Sequence, residues 1–301
     1  MNGVDAWQTP VYCVTILAEL SLTTRLYVEY PHKQAFRPCI GDMKMDLQLT
    51  NRVAIVTGGS QGIGKACAAK LAQEGATVVI AARGQELLDQ VAGEIRAAGG
   101  KIMAIAADVS KEADCARLIQ ETLKAYGRID ILINNAGTSS TGEFESVTDQ
   151  TWQADFDLKL FAAIRLSRLA IPEMRKNKWG RIINVTNIGA KQPKAKSMPT
   201  TVTRAAGLAM TKALSKEFAA DNILVNSVCI GLIRAGQHER KAAKAGIPVE
   251  QLYETQGKEV PLGRVGRAEE VANVVAFFSS EASSYVTGSS VNLDGGTSAV
   301  M

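Results

Sequence analysis

Val53-Ala54-Ile55-Val56 runs into Thr57-Gly58-Gly59-Ser60-Gln61-Gly62-Ile63-Gly64, and this junction decides the fold. The β-branched run reads as a buried parallel strand. The glycine-rich turn opens a helix that runs to about Glu74. Glycines there let the backbone bend and let a pyrophosphate approach the helix N-terminus, where free N–H groups and the helix dipole favour an anion. A tight turn with no ligand is the bland alternative, and the placement between a strand and an amphipathic helix argues against it.

Outward from that junction, strands and helices alternate. Strands are expected at 77–81, 102–106, 129–133, 181–185, 223–228 and 290–293. Helices are expected at 85–98, 111–126, 148–176, 200–220 and 267–280. Leu88, Val91 and Ile95 mark the apolar face of the second helix, and Gly99-Gly100 stops it. This alternation predicts an α/β fold: one doubly wound parallel sheet of Rossmann type with helices on both faces, α/β/α, over residues 46–301.

The second strand ends Ala81-Ala82-Arg83. A site for NAD normally presents Asp or Glu here to the ribose hydroxyls. Ala82 stands in the acidic place, and the Arg83 guanidinium suits a 2′-phosphate. NADP(H) is therefore expected over NAD(H), against the alternative that Arg83 is a solvated loop residue.

The composition excludes several function classes. Of 301 residues, 46% are hydrophobic and 21% charged, which is not a disordered or fibrous chain. A net charge of +4, scattered along the chain, does not suggest nucleic-acid binding. Cys13, Cys39, Cys67, Cys115 and Cys229 lack metal or disulfide spacing and read as reduced thiols of a cytoplasmic protein. With His32 and His238 the only histidines, no metal site is expected.

Residues 1–45 do not share the alternating pattern of the rest of the chain. The apolar run Val11–Leu20 is shorter than the ~20 residues of a membrane span, so no membrane partner is expected. Its acidic neighbours fit neither a signal nor a transit peptide. The segment is expected to reflect an early start assignment, with Met43 or Met45 as the first residue, or else a surface-packed or disordered extension.

From about 47 to 298 the chain resembles the short-chain dehydrogenase/reductase family, in its single-domain branch. The resemblance rests on Thr57–Gly64, Asp108-Val109, Asn134-Asn135-Ala136-Gly137, Pro261-Leu262-Gly263-Arg264 and Asp294-Gly295-Gly296. It implies cofactor contacts from Gly58, Ser60, Gln61, Gly62, Ile63, Gly64, Arg83, Asp108, Val109, Asn135, Ala136, Gly137 and Ile233, with Asp108 and Val109 at the adenine. It also implies a homodimer or homotetramer, paired through the helices 148–176 and 200–220. Phe156, Leu158, Leu160, Phe161, Ile164, Leu166 and Leu169 give the first of these more apolar positions than one face needs.

The family's catalytic Asn–Ser–Tyr–Lys set is replaced throughout. An ungapped alignment on Ala206-Gly207, Thr211–Leu214 and Glu217 puts Thr200 at the Tyr position, Arg204 at the Lys position and Asn187 at the Ser position. Lys159 falls where Asn is expected. The loop after the sixth strand reads Ile230-Gly231 for the family's Pro-Gly pair, and Ala235 for its Thr. A threonine hydroxyl is no acidic phenol, and arginine does not pass protons. Lys159 can give up a proton, and Arg204 and a low-dielectric pocket are expected to lower its pKa. It is the candidate acid, unless it points into solvent or a subunit interface. Lys191, Lys194 and Lys196 are expected to favour a small-molecule substrate with an anionic group, unless the loop is merely solvated. The stretch from Gln237 to about Val260 resembles a substrate lid, with His238 an exposed lid residue.

The sequence thus points to an NADP(H)-dependent oxidoreductase acting on a carbonyl/alcohol pair through an atypical catalytic site. Two alternatives stand beside it. One is an NADPH-binding pseudoenzyme serving as regulator or inactive partner. The other is a reductase of imines or activated alkenes.

Overall fold

The computed structural model describes residues 45–236, 242–244 and 246–301. Seven strands make one parallel sheet: β1 (Val53–Thr57), β2 (Thr77–Ala82), β3 (Lys101–Ala106), β4 (Ile131–Asn134), β6 (Gly180–Asn187), β8 (Ile223–Ile230) and β9 (Ser290–Leu293), in the order β3-β2-β1-β4-β6-β8-β9. The order reverses at β1, which pairs Val56 with Ile80 of β2 on one side and with Ile133 of β4 on the other. A crevice for ligand opens beyond the carboxyl ends of the strands at such a switch point.

Residue alternation shows why both faces are covered. Ala54, Val56, Val78, Ile80, Ile131 and Ile133 pack on one face, with α1 (Gly62–Gln73), α2 (Gln85–Ala97) and the helix Ala268–Phe278. Ile55, Val79, Leu132, Ile182 and Val225 pack on the other, with α3 (Glu112–Tyr126) and α5 (Ala162–Lys176). In the central strands β1, β2 and β4 both residue sets are largely apolar and buried, the pattern of a sheet covered on both faces. Helix ends follow local chemistry. Thr148 caps α4 (Asp149–Phe156) by accepting from the Thr151 N–H, and Gly127, at φ 69°, ends α3 in the left-handed conformation.

Three local features differ from the sequence expectation. The helix expected over 148–176 is α4 and α5 joined by a π-helical turn at Asp157–Phe161. That turn contains the buried Lys159. The helix expected over 200–220 ends earlier, as α6 (Thr200–Glu217), and a 3₁₀ turn at Ala219–Asp221 comes after it. A two-stranded antiparallel pair, β5 (Thr141–Gly142) with β7 (Met198–Pro199), was not expected; two residues per strand carry no readable periodicity. Among the described residues, no helix is long and apolar enough to cross a membrane, and no cluster of His, Cys, Asp or Glu is placed to hold a metal.

Candidate active site

A cleft of about 660 Å³ lies at the carboxyl ends of the strands, within the size range of small-molecule and cofactor pockets. Its outer half is made mainly of backbone. Thr57 Oγ1 donates to the Ile133 carbonyl at 3.2 Å and accepts from the N–H groups of Asn135 and Ala136, both at 3.0 Å. Asn135 Nδ2 donates back to the Thr57 carbonyl at 2.9 Å. These bonds fasten the glycine turn to the loop after β4.

Two glycines of the turn are required by space. A Cβ on Gly64 would stand 2.1 Å from the Gly58 carbonyl oxygen, and one on Gly58 (φ 68°) would meet Asn135 Nδ2 at 2.9 Å. No side chain caps the N-terminus of α1. This arrangement leaves a cradle for an anionic group at the helix end.

Most of the expected cofactor residues are brought together here. Gly58, Ser60, Gln61, Gly62, Ile63, Gly64, Arg83, Asp108, Val109, Asn135, Ala136 and Gly137 all line the cleft. Arg83 is exposed on its lip and has no hydrogen-bond or ion-pair partner among the described residues. Ile233 is placed differently. Its side chain is buried in the core, and the cleft is met instead by Ile230 at the end of β8 and by Gly231, Ala235 and Gly236 of the loop after it.

The inner half is built from side chains. Asn187, Thr200 and Arg204 line it, but Lys159 does not. Lys159 lies behind Thr200, with its side chain 1% exposed, and donates to Asp155 Oδ1 and, at 2.8 Å, to Thr200 Oγ1. Thr203 Oγ1 donates to the second Asp155 oxygen at 2.6 Å, so this carboxylate ties α4 to α6. Thr200 Oγ1 donates to the Ser140 carbonyl at 2.6 Å and accepts from the Ser140 N–H at 2.9 Å. Arg204 donates from Nη1 to the Val185 carbonyl at 2.9 Å. Arg204 Nε and Asn187 Oδ1 are buried without a hydrogen-bond partner in the protein.

Electrostatics follow from this packing. Burial and the neighbouring Arg204 cation draw the Lys159 pKa down to about 8, against the opposing pull of Asp155. Burial draws Arg204 down to about 10, and it remains a cation at neutral pH. The direction expected for the Lys159 pKa is the one this packing imposes, and the side chain is buried within the fold rather than turned to solvent.

The loop lysines are not gathered at the cleft. Lys191 donates to the Ser290 carbonyl at 2.7 Å, Lys196 pairs with Glu143 at 2.5 Å, and Lys194 is exposed. The same loop is held by the carboxyl-terminal residues: Gln192 Oε1 accepts from the Ala299 N–H at 2.8 Å and from Ser298 Oγ at 3.3 Å. His238 and the segment 1–44 lie outside the described residues. Asp155 went unrecognised in the sequence, where an acid four residues before a lysine reads as an ordinary surface helix pair.

The family profile described as enoyl-(acyl carrier protein) reductase matches residues 58–298. The chain belongs to the short-chain dehydrogenase/reductase family. The 3-oxoacyl-[acyl-carrier-protein] reductase FabG of Thermotoga maritima is 33% identical over 250 residues, covering 83% of this chain and 99% of its own length. The human dehydrogenase/reductase SDR family member 4 is 35% identical, covering 83% of this chain and 88% of its own. Among solved structures, L-sorbose reductase from Gluconobacter frateurii, complexed with NADPH and L-sorbose, is 33% identical with a TM-score of 0.81; the match covers 85% of this chain and all of that one. YwfH, an NADPH-dependent reductase involved in bacilysin biosynthesis, is 32% identical with a TM-score of 0.78, covering 83% and 99%. Family membership places the chain among oxidoreductases.

Proposed function

We propose that the protein is an NADP(H)-dependent oxidoreductase that interconverts a carbonyl and an alcohol on a small molecule, using a catalytic site unlike its family's. The observation that carries this reading is the exposed, partnerless Arg83 guanidinium on the cleft lip, following Ala82 where an acidic residue would repel a 2′-phosphate. The NADPH-bound sorbose reductase supports it. The glycine turn and α1 would hold the pyrophosphate, Arg83 the 2′-phosphate, Asp108 and Val109 the adenine, and Asn135 to Gly137 the middle of the cofactor. Bound there, the reduced nicotinamide supplies hydride. The residues of this chain orient the carbonyl and supply a proton to its oxygen.

The protein would act in the cytoplasm as a homodimer or homotetramer that covers Phe161 and Leu169, which are 38% and 37% exposed. The test is NADPH and NADH titration beside a cofactor-oxidation screen over ketones, acyl thioesters, imines and enones. Tighter NADPH binding with turnover of a carbonyl supports the reading; equal affinity for NADH removes the Arg83 argument. A second reading, an NADPH-binding partner without catalysis, is favoured by Thr200, whose hydroxyl already has three protein partners. NADPH binding without turnover of any substrate supports that reading.

A further inference from the structure

The buried row Asp155, Lys159, Thr200 connects an ionisable group to the cleft by one hydroxyl. Resting on the reductase reading, we propose that Thr200 delivers a proton to the substrate oxygen and Lys159 replaces it, with Asp155 as the positioning residue of this relay. Lys159 does not line the cleft, so it cannot serve the substrate directly. Its Nζ reaches Thr200 Oγ1 at 2.8 Å, and Thr200 does line the cleft.

The hydroxyl hydrogen is free to change partner. The Ser140 carbonyl that accepts it at 2.6 Å also accepts the Thr200 backbone N–H at 3.3 Å. When the hydroxyl turns toward a substrate oxygen, that carbonyl keeps a donor, so no buried acceptor is orphaned. The Ser140 N–H, at 2.9 Å, still donates to Oγ1 and steadies the negative charge that builds there.

A bound reduced nicotinamide would supply hydride to the carbonyl carbon, leaving the C=O π pair on the substrate oxygen. That oxygen takes the Thr200 proton as the Oγ1–H bond breaks. Oγ1 takes a proton from Lys159 Nζ, leaving a neutral amine that still donates to Asp155. After product leaves, water in the cleft returns the proton along the same path.

Asp155 and Arg204 are the charged groups that act on Lys159. Asp155, four residues earlier on the same helical stretch, holds the ammonium and is itself fixed by Thr203 of α6. Arg204, also on α6, repels the ammonium and favours release of its proton. A free alcohol is a poor acid, so the hydroxyl acts by handing protons through. The neighbouring lysine, whose pKa burial and Arg204 draw down to about 8, sets the driving force.

The experiment joins a titration that needs no turnover to kinetics. In ¹⁵N-lysine-labelled protein, the Lys159 ammonium signal is assigned by its loss in Lys159→Arg and followed with pH. It is expected to lose its proton near pH 8. Asp155→Asn moves the midpoint down and Arg204→Gln moves it up. A Lys159 that stays protonated through pH 10 overturns the relay whatever the activity.

Kinetics use NADPH with ethyl acetoacetate and 2,3-butanedione. The acid form is the working form, so kcat falls as pH rises through the Lys159 midpoint. Thr200→Val loses about 10²–10⁴ in kcat, the usual value of a positioned acid, and Thr200→Ser recovers the lost rate. Lys159→Arg keeps the ion pair but loses both the rate and the pH step, while NADPH titration is unchanged. Full kcat in Lys159→Arg overturns the relay and leaves the reductase reading standing. A parent protein that binds no NADPH overturns the cofactor reading, and the lysine titration then judges the relay alone. NADPH binding without turnover of either probe overturns the relay in favour of the non-catalytic reading.

Discussion

The two halves of the cleft are built on opposite principles. The outer half presents backbone and glycine, with an uncapped helix end and Arg83 unpaired at the rim. The inner half is a set of side chains that mostly satisfy one another: Asp155 with Lys159 and Thr203, and Thr200 with Lys159 and Ser140. A surface whose donors face open space is ready for a ligand. One whose donors face each other is committed to holding the fold and yields to a ligand only where a partner is shared. The two halves therefore fail differently on substitution: the backbone half by crowding, the side-chain half by orphaned charge.

The inner half is broken most severely by unpairing it. Lys159→Met leaves the buried Asp155 carboxylate without its cation and is expected to cost about 3–5 kcal/mol, whereas Lys159→Met with Asp155→Leu regains most of that. Urea denaturation at pH 7 measures both; a single variant as stable as the parent would show that the pair is not needed for folding. The outer half is sharpened by Arg83→Ala. Loss of a charge-assisted contact is expected to weaken NADPH about ten- to a hundredfold and leave NADH nearly unchanged, read by fluorescence titration. Gly64→Ala tests crowding directly. Overpacking against the Gly58 carbonyl is expected to cost about 1–3 kcal/mol, distributed between thermal stability and NADPH affinity.

A smaller effect separates the halves by pH. The folded pKa of Lys159 is lowered from 10.5 to about 8. Between those values the unfolded chain binds the additional proton, so this group's contribution to stability rises with pH, by up to about 1.4 kcal/mol per unit. Burial raises the Cys67, Cys115 and Cys229 thiols to about 12, 11 and 11, and they act oppositely above their unfolded value of 9.0. Taking the difference in unfolding free energy between parent and Lys159→Arg cancels the thiols. That difference is expected to grow from pH 8 to 10; a flat line would show that Lys159 keeps an ordinary pKa.

The outer half was legible in the sequence because backbone geometry writes itself in residue type. Glycine at 58 and 64 has no substitute where the chain passes within contact of itself, and β-branched runs mark strands covered on both faces. The inner half was legible as substitutions at positions 159, 187, 200 and 204, but not as an arrangement. Asp155 and Lys159 have the spacing of a solvent-exposed helix pair, yet both are buried and bonded to Thr203 and Thr200 of α6. Charge alone likewise misled at Lys191 and Lys196. Their partners, Ser290 and Glu143, are distant in sequence and leave no local trace.

The carboxyl-terminal residues carry a practical consequence. Ser298 and Ala299 are fastened to Gln192, five residues beyond Asn187 on the loop that leaves β6. Whatever is joined to Met301, a natural continuation or an affinity tag, departs beside that loop. Tethering the protein to a sensor surface through this end would load the loop mechanically and distort the affinity being recorded. Anchoring through an exposed lysine on α3, such as Lys124, leaves it unburdened.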